Sequence, residues 1–166
     1  MASKTVTATL EGDGLRLVAR TGSGHTIVMD NAEGDAGARP AELLVVAQAG
    51  CTAMDVVSVL RKKRQPFTRY EVRVVGEQRD EPPPNVYTEM RIVHVVDGDV
   101  EVEALRRAIE LSATKYCTVT ANLASGVTEI QHAYLLRRST GEEQFGTVLV
   151  TGPGALVAEA IATVGT

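Results

Sequence analysis

The stretch from Pro40 to Arg64 constrains the fold of this chain more than any other. Its first half, Leu43 to Met54, is apolar on almost every side, the pattern of a helix buried all round. Pro40 suits a first-turn position, where a missing N–H costs nothing, and Glu42 sits near the positive end of the helix dipole. Arg61, Lys62, Lys63 and Arg64 close the segment as cations at a helix C-terminus, ahead of the proline stop at Pro66. A helix over about 41–64 is expected to be the spine of the core.

What flanks this helix reads as strands arriving in runs. Residues 4–10 and 14–20 form a hairpin around Glu11-Gly-Asp-Gly14, and Gly22-Ser-Gly24 turns the chain into a third strand from His25 to Asp30. Asn31 to Arg39 is a loop. After the helix come a strand at Tyr70–Glu77, a stiff polar loop at Arg79–Asn85 and a strand at Tyr87–Val96 that pairs antiparallel with it. A helix over Val102–Thr114 has Leu105, Ala108 and Ile109 on one face, a short helix opens near Cys117, and Thr128–Arg138 is a further strand. The order βββ-α-ββ-α-α-β is an α+β arrangement. Residues 1–138 then form one domain, and 139–166 an extension with a strand at Phe145–Val150 and an apolar helix around Ala155–Val164.

Composition narrows the function classes. A chain of 166 residues suffices for one buried core. With no Trp and two Phe, that core is built from aliphatic residues, and stacking platforms for bases are largely excluded. The net charge of −4 without a basic face argues against a nucleic-acid partner. The N-terminus lacks the apolar run of a secretory signal, and no stretch reads as a membrane span, so a cytoplasmic protein with no membrane partner is expected.

Two cysteines, Cys51 and Cys117, carry the candidate chemistry. In a reducing compartment such a pair is free, metal-binding or redox-active. Cys51 lies midway along the apolar helix, where a cysteine packs inertly as a small hydrophobe or, given a compensating charge, reacts. Cys117 lies near a helix start, where unpaired N–H groups favour a thiolate, although a packing or capping role fits the same position. His25, His94 and His132 show no metal-ligand spacing to either cysteine and read as core or surface residues. Gly22-Ser-Gly-His-Thr26 lacks the ending of a phosphate loop.

Pro40 through Cys51 to Leu60, together with Lys115-Tyr-Cys117-Thr-Val119, resembles the OsmC/Ohr (organic hydroperoxide resistance) superfamily in its YhfA-like branch. Ser23–Asp30 and Leu111–Cys117 add to the likeness, which covers about residues 1–138. The resemblance implies an OsmC-like fold, with antiparallel sheets wrapped around long central helices in an intertwined homodimer. It also implies a thiol peroxidase in which Cys51 attacks an organic hydroperoxide and becomes a sulfenic acid. Cys117 then closes a disulfide that a dithiol or lipoyl-type reductant opens. Two cysteines suffice for that cycle, so it calls for no metal or bound cofactor.

The sequence departs from the family's activating pair. Counted back from Cys51, the family glutamate falls on Ala41, next to Glu42, and the arginine on Asn31. Glu42 is the candidate polar partner, with a first-turn structural role as its alternative, and Arg16, Arg20 and Arg39 are candidate replacements for the arginine. A second reading is a dimeric binding module for a small hydrophobic or lipoyl-like ligand without turnover, and a third is a dimer with no chemistry at Cys51.

Overall fold

The computed structural model describes residues 3–153. The helix expected around Ala155–Val164 lies outside them. Two compact units make up the chain, Met1–Val46 and Ala47–Thr166.

The first unit is a three-stranded antiparallel sheet of β1 (Val6–Leu10), β2 (Leu17–Thr21) and β3 (Thr26–Met29). Both expected turns are present, with Gly12 at φ 74° and Gly24 at φ 87° supplying the left-handed residue each one needs. The loop after β3 is ordered around Asp30, which is buried and accepts hydrogen bonds from the N–H groups of Asn31 at 2.8 Å and Ala36 at 3.2 Å. Arg39 pairs with Asp35 at 2.7 Å across the same loop. The long helix α1 (Glu42–Lys62) begins at this point.

The second unit holds the core. Its sheet runs β4 (Phe67–Gln78), β5 (Tyr87–Gly98), β6 (Glu129–Arg137) and β7 (Glu143–Thr151) in that spatial order. β4–β5 and β6–β7 are antiparallel pairs as hairpin runs require, but β5–β6 is parallel. The crossover between these two is helical: α2 (Val102–Leu111), a π-helical turn (Ser112–Tyr116) and α3 (Thr118–Ala124). Alternate residues of β5 and β6, among them Met90, Ile92, Val96, Ile130 and Leu136, are fully buried. Val56 and Leu60 of α1 join Leu105, Ala108 and Ile109 of α2 and Tyr134 and Leu136 of β6 in one cluster. Each Leu or Ile hidden in this way contributes roughly 1.5–3 kcal/mol.

One expectation changes in the structure. α1 hides one stripe, Gln48, Thr52, Val56 and Leu60, rather than every side. Met54 remains 76% exposed and Val46 60%. Residues four apart share a face, so one stripe is the most that packing from a single side can cover. α1 is long and apolar enough to cross a bilayer by length and composition, yet its covered stripe carries Gln48 and Thr52, both hydrogen-bonded inside the second unit.

After residue 138 the chain supplies β7, which pairs antiparallel with β6 as the last strand of the main sheet. Gly146 stands opposite Tyr134 in the β6–β7 register, and the buried Tyr134 ring lies over it. A Cβ at Gly146 would come within 2.7 Å of two ring carbons. Gly146→Ala is therefore expected to lower stability by about 1–3 kcal/mol through overpacking, read as a lower urea midpoint with unchanged slope. An unchanged midpoint would show that Tyr134 does not hold β7 in place.

Candidate functional site

Cys51 sits in the middle of α1, on the border between the covered stripe and the exposed face. Its sulfur is half-buried, whereas Cys117 is 3% exposed. The π-helical turn delivers Cys117 to it. The Cys117 N–H reaches back five residues to the Ser112 carbonyl at 2.9 Å, which ends α2 with a widened turn and leaves Cys117 extended, at φ −71° and ψ 101°. Cys117 thereby becomes the N-cap of α3, its sulfur accepting the Thr120 N–H at 3.3 Å. The Val119 N–H from the same turn donates to the Cys51 sulfur. Both sulfurs thus share the free donors at the start of α3.

A third group completes the cluster. Asp55 follows Cys51 by one helical turn, and one of its carboxylate oxygens lies with the two sulfurs in a set whose members are all within 4.8 Å of one another. Burial first, then the Cys117 side chain and the nearby Asp55 charge, push the Cys51 thiol above its ordinary value, against a smaller opposite pull from the Val119 N–H. Gln48, one turn before Cys51's neighbour Thr52, places Nε2 3.9 Å from the Cys117 sulfur and donates to Thr120 Oγ1 at 2.8 Å. Its Oε1 is buried with no hydrogen-bond partner among the described residues.

From Asp55 a polar chain leads into the core. Ser112 Oγ is 3.0 Å from both Asp55 Oδ2 and Thr52 Oγ1, Thr52 Oγ1 is 3.4 Å from His94 Nε2, and His94 Nδ1 meets the Tyr70 hydroxyl. Ser112 Oγ is the donor towards both Asp55 Oδ2 and Thr52 Oγ1. The Thr52 and Tyr70 hydroxyls flank the two nitrogens of His94, one of which donates while the other accepts. This arrangement requires a neutral His94. Burial and then the neighbouring His132 lower its pKa to about 3, while burial and then the Asp55 charge raise Tyr70 well above the ordinary phenol value.

The structure brings Cys51 and Cys117 together. Glu42 belongs to the first unit, where its carboxylate accepts the Arg39 N–H at 2.9 Å, the role of a first-turn acid closing a helix start. Among the candidate arginines, Arg16 pairs with Glu11 and Arg39 with Asp35. Asp55, Gln48, Thr52 and Ser112 were not singled out from the sequence. Their signal is present, since Gln48, Thr52 and Asp55 are polar residues at near four-residue spacing about Cys51 in an otherwise largely apolar stretch of the helix. Beside Asp55 a groove of about 430 Å³ opens, lined by Val59, Leu111 and Tyr116 with Lys62 and Lys63 at its side.

Comparison with known proteins follows the same lines. The profile of the family described as OsmC-like protein matches residues 32–131. Protein YhfA of Escherichia coli K12 is 40% identical over 123 residues, spanning 74% of this chain and 90% of that protein. A crystal structure of a protein from Aquifex aeolicus VF5 superposes with a TM-score of 0.72 at 31% identity, over 84% of this chain and 99% of that one. An organic hydroperoxide resistance protein from Elizabethkingia anophelis, crystallised with thiocyanate bound, shares the fold at a TM-score of 0.58 and 16% identity, over 80% of this chain and 94% of its own.

The buried imidazoles make stability depend on pH. His94 and His132 have pKa values lowered from 6.5 to about 3 and about 4, in both cases chiefly by burial. Above 6.5 both are neutral folded or unfolded and add no slope. As pH falls below 6.5 the unfolded chain takes up protons the folded chain refuses, so stability declines towards about pH 4, by up to about 1.4 kcal/mol per pH unit for each histidine. Urea midpoints measured from pH 7.5 to 5 are expected to fall in this way, and His132→Gln is expected to reduce the slope by about one proton. A midpoint that does not move over that range would mean that the histidines are not held neutral.

Proposed function

Because this chain belongs to the OsmC-like protein family, a family linked to organic hydroperoxide resistance, we propose that it is a thiol-dependent peroxidase acting on organic hydroperoxides. The observation that carries this reading is the approach of the two sulfurs to within 4.8 Å, against the roughly 2.05 Å of a closed disulfide. Cys51 is the more accessible sulfur and takes the attacking role. Its sulfur bonds to the outer peroxide oxygen as the O–O bond breaks, the alcohol leaves, and Cys51 becomes a sulfenic acid. Cys117 then attacks that sulfur, water departs with the sulfenic oxygen, and a disulfide remains for a dithiol or lipoyl-type reductant to open. The groove beside Asp55, with its apolar wall, suits the organic part of the substrate. A cycle reset by a dithiol belongs in a reducing compartment, and the reading places it in the cytoplasm.

Asp55 is the carboxylate beside Cys51, and its charge opposes thiolate formation, so attack is expected to accelerate as pH rises through the alkaline range. Asp55→Asn removes that charge and is expected to lower the Cys51 pKa and raise its rate of iodoacetamide alkylation at pH 7. An unchanged alkylation profile would remove Asp55 from the account.

The exposed apolar face of α1, with Met54 and Val46 uncovered, favours a homodimer in which a second copy covers it. Light scattering is expected to give twice the chain mass, and Met54→Lys to shift the protein towards monomer.

The peroxidase reading is tested by titrating the reduced protein with an alkyl hydroperoxide. One equivalent is expected to convert both thiols into one intramolecular disulfide, seen by mass spectrometry, and Cys51→Ser to abolish peroxide consumption. Persistence of both thiols in excess peroxide would defeat the reading and leave a binding role at the same groove.

A further inference from the structure

The residues that meet at Cys51 also form a ligand set. Cys51, Cys117 and Asp55 are the one group of three metal-capable side chains among the described residues whose donor atoms converge, all within 4.8 Å of one another. Two sulfurs bound tetrahedrally to zinc at about 2.3 Å stand about 3.8 Å apart, so closing this set around an ion takes a movement of at most about 1 Å. Cys51 and Asp55 are four residues apart on α1 and present their donors from one face, a chelate the helix already organises. Cys117 faces them from the N-cap of α3.

Two further observations point to an ion. Asp55 Oδ2 accepts from Ser112 Oγ at 3.0 Å, and Ser112 is itself fixed by Thr52 at 3.0 Å. A hydroxyl held behind a carboxylate is the kind of support that orients a metal ligand. Independently, Gln48 is fully buried beside Cys117 and its Oε1 lacks a hydrogen-bond partner among the described residues. Its amide reaches the sulfur through Nε2 at 3.9 Å, and a water bound to the fourth position of a metal would offer the proton that such an acceptor lacks.

We propose that the reduced protein binds one thiophilic divalent cation, Zn²⁺, through Cys51, Cys117 and Asp55, with a fourth position left to water or an added ligand. The sequence offered no metal site, because the three ligands come from two helices and match no spacing motif. Two sulfurs and one carboxylate select zinc over Mg²⁺ or Ca²⁺, which take oxygen. Binding replaces the two thiol protons by the cation and releases them to solvent. Metal and disulfide are then alternative states of the same sulfurs. The proposal concerns the reduced protein and stands whether or not that protein turns over peroxide.

The test uses the full chain, reduced and anaerobic, with Co²⁺ as the spectroscopic probe and Zn²⁺ measured by competition against a chromophoric chelator. The expected result is one Co²⁺ per chain, showing near-ultraviolet thiolate-to-metal charge transfer and the intense visible bands of a tetrahedral site, all displaced by stoichiometric Zn²⁺. Cys51→Ser and Cys117→Ser are expected each to lose charge-transfer intensity. Asp55→Asn should keep the thiolate bands while weakening Zn²⁺ binding, and Ser112→Ala should weaken it by about 10–100-fold. Wild-type protein with both cysteines alkylated serves as a second arm independent of any folding defect in the variants, and it should bind no Co²⁺ with thiolate bands. A Co²⁺ spectrum without thiolate charge transfer, or Zn²⁺ affinity unchanged on alkylation, would overturn the proposal.

Discussion

The site depends on the widened turn at Ser112–Tyr116 more than on either cysteine. The bond from Cys117 N–H to Ser112 O spans five residues instead of four, and the extra residue turns the backbone so that Ser112 and Cys117 both address α1. Ser112 meets Thr52 and Asp55, and Cys117 meets Gln48 and Cys51. Had α2 continued as a regular helix, Cys117 would have stayed in a helical conformation and lost its place as the N-cap of α3. The π-helical turn thus converts a local change of hydrogen-bond ladder into a contact between residues more than sixty positions apart in sequence.

Polar groups in an aliphatic core are tolerated here because nearly all are paired in series. Tyr70, His94, Thr52, Ser112 and Asp55 form one hydrogen-bonded line that ends at the carboxylate next to Cys51. The cost of placing His94 in the core is a neutral imidazole whose two nitrogens are both engaged. A protonated ring would have no acceptor nitrogen left for either neighbouring hydroxyl. Electrostatics at the sulfur therefore connect to packing some distance away, through hydrogen bonds rather than through bulk charge.

Much of the fold was legible from the sequence, and the reasons differ by element. Alternation and turn glycines placed the strands of the first unit, and the apolar face of Leu105, Ala108 and Ile109 placed α2, because burial on one side leaves a periodic trace. The π-helical turn left no trace, since a shift from four- to five-residue bonding changes no hydrophobic pattern. Strand β7 is visible as a strand, while its pairing with β6 is a long-range property that a local pattern leaves open. At the site, the cysteines are legible through family resemblance, while Asp55 is hidden by the apolar content of the helix around it. Three polar residues of its middle, Gln48, Thr52 and Asp55, carry the hydrogen bonds of the site for that reason: an apolar helix has few other places to put them.

The character of the cluster follows from charge. Two thiols and a carboxylate, all within 4.8 Å, cannot all carry negative charge in a half-buried setting without a strong repulsive cost. Three chemical states relieve that repulsion. The thiols keep their protons, which is the direction in which burial, Cys117 and Asp55 push Cys51. Oxidation to a disulfide removes both ionisable sulfurs at once. A bound dication neutralises two thiolates without removing them. The same repulsion that makes Cys51 a reluctant thiolate thus raises the gain from either alternative, so a carboxylate that opposes simple ionisation favours a site whose sulfurs change state together.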